Sequence, residues 1–172
     1  LSQGDMIYVM QTTTGEYALA EIPLANGGAV TIDPRDGAII ALSGGFDYSI
    51  NKVNHVLNKG RQPGSSFKPF IYSAALEQGA NASTILLDAP VVMNSSDLEQ
   101  DWKPSNYSGK FYGEQRLREA LVRSMNLATV RLLMDKIGIE NAVNHIKKFG
   151  FSEEDLPNNG GLALGAGSAS PL

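Results

Sequence analysis

Two short patterns in the 172-residue sequence place a hydroxyl beside groups that can move its proton. Ser65-Ser66-Phe67-Lys68 has the form S-x-x-K. On a helix, residues i and i+3 share a face, which brings the Lys68 amine within reach of the Ser65 hydroxyl. A hydroxyl is a poor nucleophile until a base takes its proton, and a lysine becomes that base once desolvation or a neighbouring cation lowers its pKa. At a helix N-terminus Ser65 also gains backbone N–H groups suited to a developing oxyanion. The second pattern is Ser124-Met125-Asn126, S-x-N, at a corner between two predicted helices. It offers a hydroxyl to pass protons and an amide to bind a substrate amide. Each pattern has a plainer explanation. Ser is a preferred N-cap, with Lys68 then a solvated first-turn residue, and Asn126 is equally suited to cap the helix that follows it. Ser49-Ile50-Asn51-Lys52 also matches S-x-x-K. It lacks a Pro-Gly approach and a following apolar helix, and is set aside.

The elements that must position these groups follow from patterning. A helix is expected from Ser65 or Ser66 through Phe67, Phe70, Ile71, Ala74 and Ala75 to Gly79, which stops it. Pro69 is tolerable only in a first turn, and this fixes the helix start. Three further helices are predicted over 114–123, 127–137 and 140–149, the last two ended by Gly138 and Gly150. Leu127, Val130, Met134 and Ile137 recur at helical spacing. Upstream, runs at 6–10 and 17–22 flank Thr12-Thr13-Thr14-Gly15 and read as a hairpin. A second hairpin is expected from 29–32 and 38–42 around Asp33-Pro34-Arg35-Asp36-Gly37. Its strands are almost continuously apolar, as for sheet core covered on both faces. Residues 43–64 and 81–113 read as irregular connections, with Trp102 and Tyr107 expected to pack the second onto the body.

Composition narrows the function classes. Hydrophobic residues make 42% and charged residues 19%, a globular rather than disordered balance. The net charge of -4 gives no electrostatic footprint for nucleic acid. The absence of Cys removes disulfides, thiolate catalysis and Cys-type zinc sites, and with only His55 and His145 no metal or other cofactor is expected. No apolar run approaches the roughly 18–20 residues of a membrane-spanning helix. Leu1 at the start and the Gly-rich run to Ser170-Pro171-Leu172 lead us to expect a piece of something longer.

Longer phrases decide between the readings. Arg61-Gln62-Pro63-Gly64-Ser65-Ser66-Phe67-Lys68-Pro69-Phe70, then Trp102-Lys103-Pro104-Ser105-Asn106-Tyr107, then Leu117-Arg118-Glu119-Ala120-Leu121 with Ser124-Met125-Asn126, closely resemble the transpeptidase domain of class A, bifunctional penicillin-binding proteins. The hairpin at 28–45 and the stretch from Leu162-Ala163-Leu164-Gly165 to Leu172 are similar to the same family, so the resemblance covers most of residues 22–172. It implies an α/β (α+β) fold of the β-lactamase/transpeptidase type, an antiparallel sheet flanked by helices. It implies that Ser65 is the nucleophile toward the D-Ala-D-Ala stem peptide of peptidoglycan, that Lys68 is its base, that Ser124 relays the proton to the leaving amine, and that Asn126 binds the acyl-side amide. β-Lactams would acylate Ser65 in place of substrate. The family also implies a parent with a glycosyltransferase domain, held at the periplasmic face of the cytoplasmic (inner) membrane by an anchor outside this chain. Residues 1–22 would then close a preceding small β-rich linker domain, with 23–172 the N-terminal part of the transpeptidase domain.

The family's third motif, K-T-G or K-S-G on an edge strand, does not occur in the sequence. We therefore expect an incomplete fragment of the domain, inactive alone, whose missing strand comes from a longer chain or a second polypeptide. Exposed strand edges should make it prone to aggregate. Two other functions compete. A serine β-lactamase needs a Glu-activated water, and Glu140-Asn141-Ala142-Val143-Asn144 superficially fits E-x-x-x-N, although on a predicted amphipathic helix a surface Glu is the blander and preferred reading. A non-catalytic sensor would keep the fold and bind cell-wall peptide without turnover.

Overall fold

The computed structural model describes residues 1–91 and 102–172, so the part of the expected 81–113 connection at 92–101 lies outside the described residues. Contacts divide the chain into two units, residues 1–58 with 170–172, and residues 59–169. In the first unit, β1 (Tyr8–Gln11) and β2 (Tyr17–Ala20) form the expected antiparallel hairpin. Its turn is closed by Thr12 N–H donating to Glu16 O at 2.8 Å. The second hairpin pairs β3 (Ala29–Ile32) with β4 (Ile39–Ser43). Asp33 organises its turn, accepting from Gly37 N–H at 2.8 Å and from the Arg35 backbone at 3.0 Å. The expectation that this ribbon is covered on both faces is not met, since Ile39 is 50% and Ile40 65% exposed. The two strands pair only with each other among the described residues. The apolar runs thus register a need for neighbours that these residues do not supply.

The second unit holds the helical core. A tight 3-10 turn, Gly64–Phe67, leads into α1 (Lys68–Glu77), with Pro69 in the first turn as expected. The helix ends where Ala80 N–H reaches back to Ala75 O at 3.0 Å and Gly79 takes φ 92°, a closure that favours Gly because no Cβ crowds the left-handed conformation. Ile71, Ala74 and Ala75 of α1 meet Leu132, Leu133 and Ile146 in one apolar cluster.

The expected helix over 114–123 is only partly present. Its first residues form β6 (Gly113–Arg116), antiparallel to β5 (Ile85–Asp88), and α2 begins at Leu117 and ends at Val122. Glu114-Gln115-Arg116 has helix-forming composition, but pairing with β5 overrides that preference. The 127–137 prediction resolves into α3 (Asn126–Arg131) and a π-helical segment, Leu132–Ile137, closed by Gly138 N–H on Leu133 O at 2.8 Å. The last helix is α4 (Ile139–Ile146), followed by a 3-10 turn to Phe149 and then Gly150 at φ 94°. Antiparallel pairs and flanking helices make this a partial α+β domain.

Candidate active site

Ser65 sits in the 3-10 turn before α1, exposed to solvent. Among the described residues its hydroxyl has no hydrogen-bond partner, and no side chain caps the turn or the helix. The capping explanation of Ser65 therefore falls away; Ser66 instead donates its hydroxyl to Pro63 O at 2.8 Å. The turn is held by backbone. Gly64, at φ 58°, donates its N–H to Gly165 O at 3.3 Å. A Cβ on Gly165 would overlap the Gly64 carbonyl oxygen and lie 2.8 Å from its nitrogen. The approach needs a glycine at 165, whereas at 64 a Cβ would meet nothing within 4 Å and only the positive φ favours glycine.

Lys68 is only 1% exposed. Its Nζ donates to Ser124 O at 2.6 Å, Ser124 Oγ at 3.1 Å and Asn126 Oδ1 at 2.7 Å. Three acceptors match the three N–H bonds of an ammonium. Burial nevertheless pulls the amine's pKa down to about 8, because desolvation penalises the charged form. Ser124 presents both its carbonyl and its hydroxyl to this amine at φ 52°. The left-handed region holds few residues other than Gly, and such a residue stores on the order of 1–3 kcal/mol of strain.

Asn126 is the first residue of α3 rather than its cap. Its Oδ1 faces Lys68, its Nδ2 donates to Ser105 O at 2.8 Å, and its backbone N–H donates to Asn106 Oδ1 at 2.9 Å. Leu127 N–H reaches the same Asn106 oxygen at 3.3 Å. The start of α3 is thus capped from a distant loop, which relieves orphan donors as a local cap would. Asn106 Nδ2 in turn donates to Asp88 Oδ1 and Oδ2 at 2.9 and 2.8 Å and to Lys110 O at 2.9 Å. Asp88 is fully buried and also accepts from Tyr112 N–H at 2.9 Å. A second support comes from α1. Burial raises Tyr72 to about 12, so its hydroxyl stays protonated. Thr129 Oγ1 donates to Met125 O at 2.6 Å, which leaves Tyr72 to donate to Thr129 at 3.0 Å.

The structure brings Lys68, Ser124 and Asn126 together, while the contact of Lys68 with Ser65 expected from the S-x-x-K spacing does not take the form of a hydrogen bond, because the amine is turned to Ser124 and Asn126. Ser49 is engaged with Asp47 in a surface turn, both N–H and hydroxyl on Oδ1. Glu140 and Asn144 are exposed on α4 and bond to none of the site residues. Trp102 packs against the core as expected, but Tyr107 is fully exposed, and Asn106 fastens this loop instead. Asp88, Tyr72 and Thr129 escaped sequence reasoning. Asp88 left one trace: on β5 it alternates into the buried face with Leu86, where a carboxylate needs a partner.

Comparison with known proteins points to one family. The family model described as the penicillin binding protein transpeptidase domain matches residues 27–163. Penicillin-binding protein 1A of Pseudomonas aeruginosa is 43% identical over 169 residues, covering 98% of this chain and 20% of that protein. Penicillin-binding protein 1A of Neisseria meningitidis is 41% identical over 159 residues, covering 92% of this chain and 20% of that protein. The crystal structure of penicillin-binding protein 1A from Haemophilus influenzae superposes with a TM-score of 0.87 at 36% identity, covering 96% of this chain and 24% of that one. The penicillin V complex of PonA1 from Mycobacterium tuberculosis gives 0.70 at 28% identity, over 85% of this chain and 40% of that one. The chain spans about a fifth of the length of the curated relatives it matches.

Proposed function

The chain belongs to the penicillin-binding protein transpeptidase domain family, and from that membership we propose that it carries the acylating part of a serine-type D-Ala-D-Ala transpeptidase. The observation that carries the reading is the buried Lys68 amine, its pKa lowered to about 8, shared between the hydroxyl and carbonyl of Ser124 and the amide of Asn126. At neutral pH a minority of Lys68 is uncharged, and that form accepts the Ser65 proton as the hydroxyl oxygen attacks the stem-peptide carbonyl. The tetrahedral intermediate collapses by breaking the C–N bond to the terminal D-Ala. The proton held by Lys68 passes through Ser124 to the departing amine, and an ester on Ser65 remains. An amine of a second stem peptide then attacks the ester, forming the cross-link and returning the proton to Ser65. A β-lactam supplies a strained amide at the same carbonyl position, and its leaving amine stays tethered.

Asn126 binds the acyl-side amide in this scheme. The missing edge strand completes the oxyanion site from elsewhere in a longer chain or from a second polypeptide, and these residues alone are inactive. Residues 1–22 close a preceding β-rich module, and residues 23–172 begin the transpeptidase domain. The parent also carries a glycosyltransferase domain and acts at the periplasmic face of the inner membrane through an anchor outside this chain; no helix of the described residues is long and apolar enough to cross a membrane.

One observation favours a non-catalytic peptide-binding role: all three Lys68 N–H bonds are engaged away from Ser65. Intact-mass spectrometry after penicillin treatment separates the two. A full-length penicillin-binding protein carrying these residues should gain one penicillin on the peptide containing Ser65, and Ser65→Ala should gain none. An unlabelled parent would move the function to the non-catalytic role.

A further inference from the structure

We propose that Asn106 and Asp88 are positioning residues of the reaction, setting the direction of the Asn126 amide and through it the placement of Lys68. The inference rests on the acyl-transfer reading above. The directions of these contacts follow from what each group is able to do. A carboxylate only accepts hydrogen bonds, and so does a backbone carbonyl. Asp88 and Lys110 O together therefore force the Asn106 amide to turn its Nδ2 toward them. Its Oδ1 is left facing the other way, onto the N–H groups of Asn126 and Leu127. One residue earlier, Ser105 O takes the Nδ2 of Asn126. With backbone N–H and side-chain N–H₂ both committed to consecutive residues of the 102–110 loop, Asn126 has one orientation open to it. Its Oδ1 points at Lys68 Nζ, 2.7 Å away.

A loop clasp alone does not require a charge. Well-packed apolar residues of similar volume usually hold a loop at least as well as a buried ion. What the Asp88 carboxylate adds is a fixed polarity along the line Asp88, Asn106, Asn126, Lys68. An amide in place of Asp88 would remove the charge-assisted part of that polarity and leave Lys110 O and the N–H groups of Asn126 and Leu127 to hold Asn106. The chain of contacts also links β5, the loop and α3 to α1, so the S-x-N corner and the S-x-x-K helix are set by one network rather than by helix packing alone.

The test is the second-order rate of acylation by a fluorescent penicillin across pH, in a full-length penicillin-binding protein carrying these residues. Two variants are compared with wild type: Asn106→Leu, and the exchange Asp88→Asn with Asn106→Asp. We expect Asn106→Leu to acylate at least about tenfold slower. The exchange keeps a carboxylate against an amide but takes the donor away from Lys110 O, so recovery should be partial, with a rate between that of Asn106→Leu and wild type and still about threefold or more below wild type. It also moves the negative charge next to the Asn126 N–H and nearer the Lys68 ammonium, so its rate profile should shift upward by about half a pH unit or more. A merely structural role would instead lower the fraction of molecules that acylate at saturating penicillin and leave the rate constant of the competent fraction as in wild type. If Asn106→Leu does not fold, the exchange variant carries the test by itself. Acylated wild type with an unchanged rate constant in whichever of the two variants folds overturns the inference alone. Wild type that takes up no penicillin overturns the acyl-transfer reading first.

Discussion

Replacing Lys68 by Met should change how stability depends on pH, and the size of the change follows from the amine's surroundings. Burial lowers the amine from its ordinary 10.5 to about 8. Between these values the unfolded chain holds a proton that the folded chain has released. Unfolding then takes up a proton, so stability rises with pH across this window and is lowest below about 8. Each unit is worth 1.36 kcal/mol, which over the shift makes about 3 kcal/mol. Met keeps the length of the apolar stem and removes the titration. The assay is urea unfolding of both proteins at steps from about pH 7 to 10.5, read as wild type minus Lys68→Met. Other groups cancel in that difference, including Tyr72, whose pKa of about 12 withdraws stability from both proteins above pH 10. The difference should climb by about 3 kcal/mol in favour of wild type. A difference that is flat or falls across the window would refute the claim that desolvation governs this amine.

Ser124→Gly separates strain from chemistry: it should relieve about 1 kcal/mol at φ 52° while slowing penicillin acylation, because the hydroxyl on Lys68 is gone. Thr129→Val removes the acceptor of Tyr72 and the donor to Met125 O within the core, and chemical denaturation should show a loss of about 1–3 kcal/mol. Gly165→Ala places a methyl group against the Gly64 backbone at a positive φ; a lower unfolding midpoint and slower labelling of Ser65 should appear together, and a variant with normal labelling would show the turn to be tolerant.

The parts of the site legible in the sequence were those carried by short, local patterns. Ser124 and Asn126 lie in a pattern whose spacing implies a corner, and Pro69 and Gly79 mark the ends of α1, but the face shared by Ser65 and Lys68 does not become a hydrogen bond because Ser124 and Asn126 take the amine. What was not legible depends on distant partners. β6 reads as helix because nothing local announces β5, and β5 is four residues long. Asn106 looked like part of a packing loop because its two polar ends are claimed by Asp88 on one side and Asn126 on the other. The apolar β3 and β4 were read correctly as strands and wrongly as covered, since alternation and run length report what a strand prefers and not whether its neighbours are present.

The contact between Gly64 and Gly165 has a consequence for the order in which the site forms. The turn that presents Ser65 is closed by a residue near the opposite end of the second unit, so it belongs to the contacts of large sequence separation that form slowly because a long loop must first be closed. On a ribosome, α1 can be complete before residue 165 has been synthesised. Ser65 would then pass through a period in which the helix beside it exists and its own turn is still loose. The placing of Ser65 is in that sense a late property of the chain, acquired after the helix that carries Lys68.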